Sequence, residues 1–279
     1  LWPLTQLRLS ANPMNRNIRV GHFNSIPWIP LYAGCQQWPV TLVNCVSSNV
    51  RSMVDQNRLD ITPMSVVDWF TIGAHWSRLG SYGIAYRQKA GSVLLFSPRP
   101  IESLDGVDIA ISEETTTSMR VLHTLLTCKY GLSTGTWRRG VDEDDILTPR
   151  LLIQNQAVKE ATRSRFEYVY DLGHEWWEWQ HAPIVAAVWV YRNELEPGIP
   201  AAMGDFLAAS TQMYLKDPTT AVDLHRREFG WESSMTIHAE RLLNNFEYVL
   251  GAEAEHGLSV MHSLLPAALP QLVDFTKSA

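Results

Sequence analysis

A chain of 279 residues that is 46% hydrophobic and only 19% charged can bury a large core, and this balance excludes disordered, collagen-like and coiled-coil classes. Its 23 basic residues are scattered under a net charge of −6, so the basic stripe of a nucleic-acid binder is missing. Cys35, Cys45 and Cys128 are odd in number and lack C-x-x-C spacing, which indicates reduced thiols rather than a disulfide framework or a metal site.

Residues 1–17 read as an irregular leader in which Met14 is a natural start, and no basic segment followed by a long apolar stretch signals export. The longest apolar run, Ile184 to Val190, falls well short of the ~20 residues that a membrane span needs. A cytoplasmic protein with no membrane partner is expected.

A β-type opening at Ile18-Arg19-Val20-Gly21 runs into Pro27 and Pro30, a short irregular helix starts over 31–37, and Val40-Thr41-Leu42-Val43 gives a second strand. Ser47 or Ser48 can cap a helix over 49–56, and a strand over 61–67 leads into a short helix at Asp68-Trp69-Phe70. Strands follow at Tyr82–Tyr86 and Ser92–Ser97. The alternation is βαβ patterning, so the first lobe is α/β. Beyond Pro98-Arg99-Pro100, a strand over 107–111 precedes a helix in which Met119, Val121, Leu122, Leu125 and Leu126 recur on a 3.6-residue period. Residues 131–149, rich in Gly, Thr, Arg and Asp, read as connection, followed by a strand at Leu151-Leu152-Ile153 and a helix over 156–162.

The apolar run over 183–191 reads as a strand buried on both faces. After Pro200 helical spacing dominates, first in Phe206, Leu207, Met213 and Tyr214, then in Leu242, Leu243, Phe246 and Leu250. The expected protein has one lobe over 18–97 plus 188–279 and another over 98–187, with hinge crossings near Ser92–Ser97 and Pro183–Arg192. Such folds bind a ligand between the lobes, where strand ends and helix N-termini favour anions.

The segment Tyr170-Asp171-Leu172-Gly173-His174-Glu175-Trp176-Trp177-Glu178-Trp179, with Pro183 and Ala187-Val188-Trp189 after it, resembles the signature D-L-G-x-x-W-x-x-W-T-G-L-P-F-x-F-A-V-W. That signature belongs to the chorismate dehydratase and 1,4-dihydroxy-6-naphthoate synthase family of the futalosine route to menaquinone. Three further segments agree in order: Arg19-Val20-Gly21-His22 with Pro30-Leu31-Tyr32, Leu59-Asp60-Ile61 with Pro63, and Ser92-Val93-Leu94 with Phe96-Ser97. The resemblance covers about Ile18 to Arg192. It implies a type 2 periplasmic-binding-protein fold used as a cytoplasmic enzyme without metal or organic cofactor, whose parent reaction removes water from chorismate to give 3-enolpyruvylbenzoate.

The same resemblance implies an active-site serine at Ser92 and a T-S-x-R helix start at Thr117, Ser118 and Arg120. The family's active-site asparagine falls on Pro27, which has neither an amide dipole nor a backbone N–H, so Asn24 is the substitute within reach. The family's I-G-D is Ile153-Gln154-Asn155 here, and its W-T-G-L-P is Trp179-Gln180-His181-Ala182-Pro183.

The candidate catalytic residues are therefore Ser92, Asn24 and His22, and the candidate substrate-binding residues are Ser47, Ser48, Thr117, Ser118, Asn155 and His181. Each has an ordinary alternative: N-capping for the serine and threonine pairs, a strand-end hydroxyl for Ser92, and a structural or surface imidazole for His22 and His181. Glu175 and Glu178 read as a solvated turn with tryptophans in the core, and Arg120 as either a carboxylate clamp or an exposed helix residue. Asp142 to Asp145 lacks the spacing of a calcium loop and reads as solvated. Two functions stay open: a cofactor-free lyase or related biosynthetic catalyst for a small unsaturated carboxylate, and a binding protein that closes on such an anion without chemistry. A monomer or homodimer is expected in either case.

Overall fold

Strands come first in this chain because short β-branched and apolar runs are separated by turn residues. The computed structural model describes residues 17–230, 235–265 and 272–274, so all but the last residue of the expected leader lies outside the described residues. Twelve strands are described: β1 (Arg19–Phe23), β2 (Thr41–Cys45), β3 (Ile61–Ser65), β4 (Trp76–Tyr86), β5 (Val93–Ser97), β6 (Ile109–Ile111), β7 (Trp137–Arg139), β8 (Arg150–Ile153), β9 (Tyr168–Asp171), β10 (Ile184–Arg192), β11 (Phe246–Val249) and β12 (Leu272–Asp274). They form two six-stranded mixed sheets, ordered β11-β4-β10-β3-β1-β2 and β12-β7-β6-β8-β5-β9. No described helix is long and apolar enough to cross a membrane.

The first sheet is organised by β10, which runs antiparallel to β3 on one side and β4 on the other. Its run Val188-Trp189-Val190 is fully buried, as a strand covered on both faces requires. At its far end the buried Asp60 carboxylate receives Arg19 and Arg192, both at 2.8 Å, and so joins the start of β1 to the end of β10.

The second sheet shows the two-residue period of a strand plainly. Val93 and Leu95 of β5 join the large core that spans both lobes, while Leu94 and Phe96 face a smaller cluster with Leu152, Ala157 and Phe166 beneath the helix Gln154–Arg163. Sheet membership places β5 in the second lobe and all of β10 in the first. The crossings therefore fall at 87–92 and 181–183, each a few residues before the expected boundaries, and β12 returns a C-terminal segment to the second sheet.

Three elements differ from expectation. The connection over 131–149 contains β7, a three-residue strand whose two arginines hide it, although Trp137 is fully buried and β7 pairs in parallel with β6. Phe246 belongs to a strand on β4 rather than to a helix, because the turn at Asn244-Asn245 ends the helix Met235–Leu243 first. Glu175 and Glu178 lie on the helix Leu172–Gln180, not in a turn, and the Glu175 carboxylate accepts hydrogen bonds from Lys129 Nζ and the Tyr130 hydroxyl.

One carboxylate ties the two crossings together. Asp171 Oδ1 caps that helix by accepting from Gly173 N at 2.9 Å and His174 N at 3.4 Å, and it also accepts from Ala90 N at 3.0 Å. Asp171 Oδ2 accepts from Gly91 N at 2.7 Å. Gly173 must stay small for the same contact, since a Cβ there would lie 2.9 Å from both Ala90 N and the Tyr86 ring. Trp176, fully buried, packs edge-on against Trp179 at 5.7 Å. Hydrogen bonds to a charged group are worth roughly 1.5–3 kcal/mol each, with partial additivity, so Asp171→Ala should cost about 3 kcal/mol in urea unfolding. Gly173→Ala should cost about 1–3 kcal/mol in the same measurement through overpacking.

Candidate functional site

The parallel strands of both sheets end at the seam between the lobes, and the residues that follow them are small and polar. After β1 come Asn24 and Ser25, after β2 comes Ser47, and after β8 come Gln154 and Asn155. Thr115, Thr116 and Thr117 precede or open the helix Thr117–Thr124. Hydrogen bonds cross the seam among the described residues: Ile26 N donates to Asn155 Oδ1 at 3.3 Å, Thr117 Oγ1 donates to the Ala186 carbonyl at 3.1 Å, and the hydroxyls of Ser47 and Thr116 share a bond at 3.4 Å.

Beside these bonds lie three buried hydroxyls. Ser25, Ser92 and Thr115 are 4%, 1% and 0% exposed, and among the described residues none of their hydroxyl oxygens has a hydrogen-bond partner. Ser25 adjoins Ile26, Thr115 adjoins Thr116, and the Ser92 carbonyl accepts from Gln154 N at 2.7 Å, next to Asn155. A buried polar group left unmet costs roughly 1–3 kcal/mol, so three along one seam call for a polar partner, an ordered water or a bound ligand. The helix Thr117–Thr124 begins at Thr116 without a side-chain cap, which leaves its first-turn amides to favour an anion. Arg120 on this helix and Asp68 in the other lobe are close enough to act on each other's titration. Burial pushes the Asp68 carboxyl up against opposition from Ser65, Arg51 and Arg120.

Of the residues expected at a site, the seam brings together Ser92, Ser47, Thr117 and Asn155. Ser118 is half-buried on the first turn of the same helix. Ser48 is exposed, and Asn49, not a serine, occupies the cap position of the helix Val50–Asp55. Asn24 is exposed as well, because the chain turns after β1 and buries Ser25 instead. Ser25 and Thr115 are the residues that sequence reasoning passed over. The run Thr115-Thr116-Thr117 held the signal for one of them, and Ser25 had only its place after a strand.

The structure does not bring His22 to the seam. Its side chain points into the first lobe, with Nδ1 3.3 Å from Asn44 Oδ1, Nε2 3.9 Å from Cys35 Sγ and its ring edge-on to Tyr32. Burial lowers its pKa, against the pull of Asn44 and Glu228, and burial together with the nearby His22 pushes His225 down to about 3. Burial also raises the Cys35 thiol to about 12, which makes it inert. His181 is exposed at the C-terminal cap of the helix Leu172–Gln180.

A model of the menaquinone biosynthesis family matches residues 18–266. The chain belongs to that family. AF1704 from Archaeoglobus fulgidus superposes with a TM-score of 0.70 at 16% identity, over 88% of this chain and 96% of that one. The ligand-binding component of an ABC-type import system from Staphylococcus aureus, with zinc bound, gives 0.61 at 12% identity, over 90% and 94%. The periplasmic aliphatic sulphonate binding protein SsuA from Escherichia coli gives 0.60 at 10%, also over 90% and 94%. At these identities the likeness is one of fold, the two-lobed periplasmic-binding-protein type expected above.

Two departures from the menaquinone-family signature acquire a physical meaning here. The glycines of its I-G-D and W-T-G-L-P segments stand where this chain has Gln154 and His181, and both residues adopt left-handed backbone angles, with φ of 54° and 51°. A side chain in that region is strained by roughly 1–2 kcal/mol, part of which glycine gives back in chain entropy. His181→Gly should therefore raise stability by about 0.5–1 kcal/mol in urea unfolding.

The two buried histidines give a pH signature. Their folded pKa values lie below the ordinary 6.5, so the unfolded chain takes up more protons below that pH and native stability falls with acidity. Between pH 7.5 and pH 5, His225 alone accounts for about 2 kcal/mol of loss. His225→Leu should flatten the decline by that amount, read from unfolding curves at the two pH values.

Proposed function

We propose that the chain is a cofactor-independent, chorismate-dehydratase-like lyase, or a close relative catalysing a rearrangement or cyclisation, acting in the cytoplasm on a small unsaturated carboxylate. The reading rests on the seam: the unmet hydroxyls of Ser25, Ser92 and Thr115 lie between two lobes of a menaquinone biosynthesis fold. Hydroxyls and uncapped helix amides bind carboxylates without a fully buried counter-charge, and they leave the ligand's own groups available for proton movement.

Elimination of water from a cyclohexadiene carries a hydroxyl from one ring carbon and a proton from its neighbour, and aromatisation drives it, so no redox partner is required. The protein's part is to position the ring and keep water out. Ser92 and Thr115 would hold substrate oxygens from the second lobe and Ser25 from the first, with Asn155 and Thr117 fixing the lobes against each other. Asp68 and Arg120, one in each lobe, form a charged pair that acts across the seam. Arg120 would steer a carboxylate, and Asp68, with its raised pKa, would be the protein group best placed to accept a proton.

One observation favours a second reading. Pro27 stands where the resemblance expects an asparagine, and it is buried in the 3-10 turn Ile26–Trp28, where it offers no donor. A closed cleft that binds the anion without converting it would follow if that amide were indispensable. Incubation of the purified protein with chorismate, followed by chromatography for 3-enolpyruvylbenzoate, separates the readings. Product that appears with protein and not without it supports the lyase, and saturable binding without product supports the receptor.

Ser92→Ala sharpens the test because its two effects have opposite signs. Removing an unmet buried hydroxyl should leave ligand-free stability unchanged or raised by about 1 kcal/mol, while ligand affinity falls about tenfold. Unchanged affinity and turnover in this variant would remove Ser92 from the site.

A further inference from the structure

Beneath the helix Gln154–Arg163, away from the seam, the second lobe buries a cation whose side chain makes no hydrogen bond among the described residues. Arg150 opens β8, and the two-residue period puts its side chain on the same face as Leu152, toward Phe96, Ala157 and Phe166. The residue is 1% exposed, and its guanidinium lies over the Phe166 ring, 5.0 Å from the centroid. Nε has no hydrogen-bond partner, and among the described residues no carboxylate stands within ion-pair distance of the side chain.

The acids that act on it through space, Glu160 and Asp145 among them, make their hydrogen bonds to other groups. Glu160 is held by Arg165 at 2.9 and 2.7 Å and by Arg163 at 3.4 Å, and Glu143 by Arg163 at 2.8 Å and Lys159 at 3.4 Å. Asp145 Oδ1 accepts from the backbone of Leu147 and Thr148. A buried guanidinium without a bonded anion is costly, and a planar apolar residue would fill the layer at lower cost. The Arg150 side chain borders a cavity of about 390 Å³ that is also lined by the cations Lys159 and Arg163 and the carboxylates Glu113, Glu143 and Glu160, and that shares no residue with the seam described above. That volume falls in the range of small-molecule sites, roughly 300–1,000 Å³.

We propose that Arg150 anchors a second ligand site, within the second lobe, for a small oxyanion gripped through its two-pronged guanidinium. Carboxylate and phosphate share the planar pair of oxygens that this fork matches. Phe166 holds the guanidinium flat, so the prongs are set before the anion arrives.

The test uses inorganic phosphate and succinate as separate probes, with binding followed by calorimetry and by thermal unfolding of the full chain. Wild type should bind at least one probe saturably and melt several degrees higher with it, and the probe that works identifies the anion class. Arg150→Lys keeps the charge but loses the fork, and should bind at least about tenfold more weakly. Arg150→Met should lose the response while melting at or above wild type without anion, because it removes a buried charge that makes no ion-pair contact among the described residues. Ser92→Ala should respond as wild type does, which assigns the binding to Arg150 rather than to the seam.

The proposal is overturned if neither probe binds wild type saturably, or if Arg150→Lys retains full affinity. It is equally overturned if Ser92→Ala abolishes the response. Should Arg150→Met fail to fold, the lysine variant decides alone.

Discussion

The junction between the two lobes is organised by a single carboxylate. Asp171 ends a strand of the second sheet, caps the helix that leads into one crossing, and receives the Ala90 and Gly91 amides of the other. Four N–H groups converge on its two oxygens, so neither crossing can move without breaking a charge-assisted bond. The neighbouring glycine and buried tryptophan serve the same junction, Gly173 by allowing the close approach and Trp176 by filling the space behind it. In this chain the D-L-G-x-x-W segment thus holds the junction at the crossing over 87–92.

A fixed hinge makes a narrow seam possible, and the seam sets the chemistry. Bonds across it are few and are made by short side chains, as between Ser47 and Thr116 or between Thr117 and Ala186. Short hydroxyls reach only when the lobes are close, so their geometry depends on the Asp171 junction. The same closeness buries the hydroxyls of Ser25, Ser92 and Thr115 without giving them a partner among the described residues. An anion that satisfies them would add its bonds to a surface already dehydrated, where each is stronger than in water.

How much of this could be read from the sequence differs by element. The β10 run and the D-L-G segment were legible because continuous burial and tight geometry permit few residues. β7 was not, since a three-residue strand gains its place from a parallel neighbour and not from its own propensity. The hinge boundaries slipped because an apolar strand such as Val93–Ser97 suits either sheet, and only pairing with β8 and β9 decides. Among site residues, Ser92 was marked by its family position, whereas the choice between Asn24 and Ser25 turned on where the chain bends after β1, which one-residue alternation cannot locate. His22 read as a candidate base because a sequence shows the residue type and not the direction of its side chain.

The positions at which the chain departs from its family pattern meet in space, and that changes their meaning. Pro27 sits in a 3-10 turn that suits a fixed φ, and the residue before it, Ile26, gives its N–H to Asn155 across the seam. Asn155 stands where the family carries an aspartate, and Gln154 beside it occupies a left-handed backbone position suited to the family's glycine. A neutral amide at Asn155 accepts the Ile26 N–H without placing a second negative charge beside an anionic ligand, which an aspartate would repel. The lost asparagine and the lost aspartate thus lie on the two sides of one bond that holds the lobes together, Pro27 next to its donor and Asn155 as its acceptor.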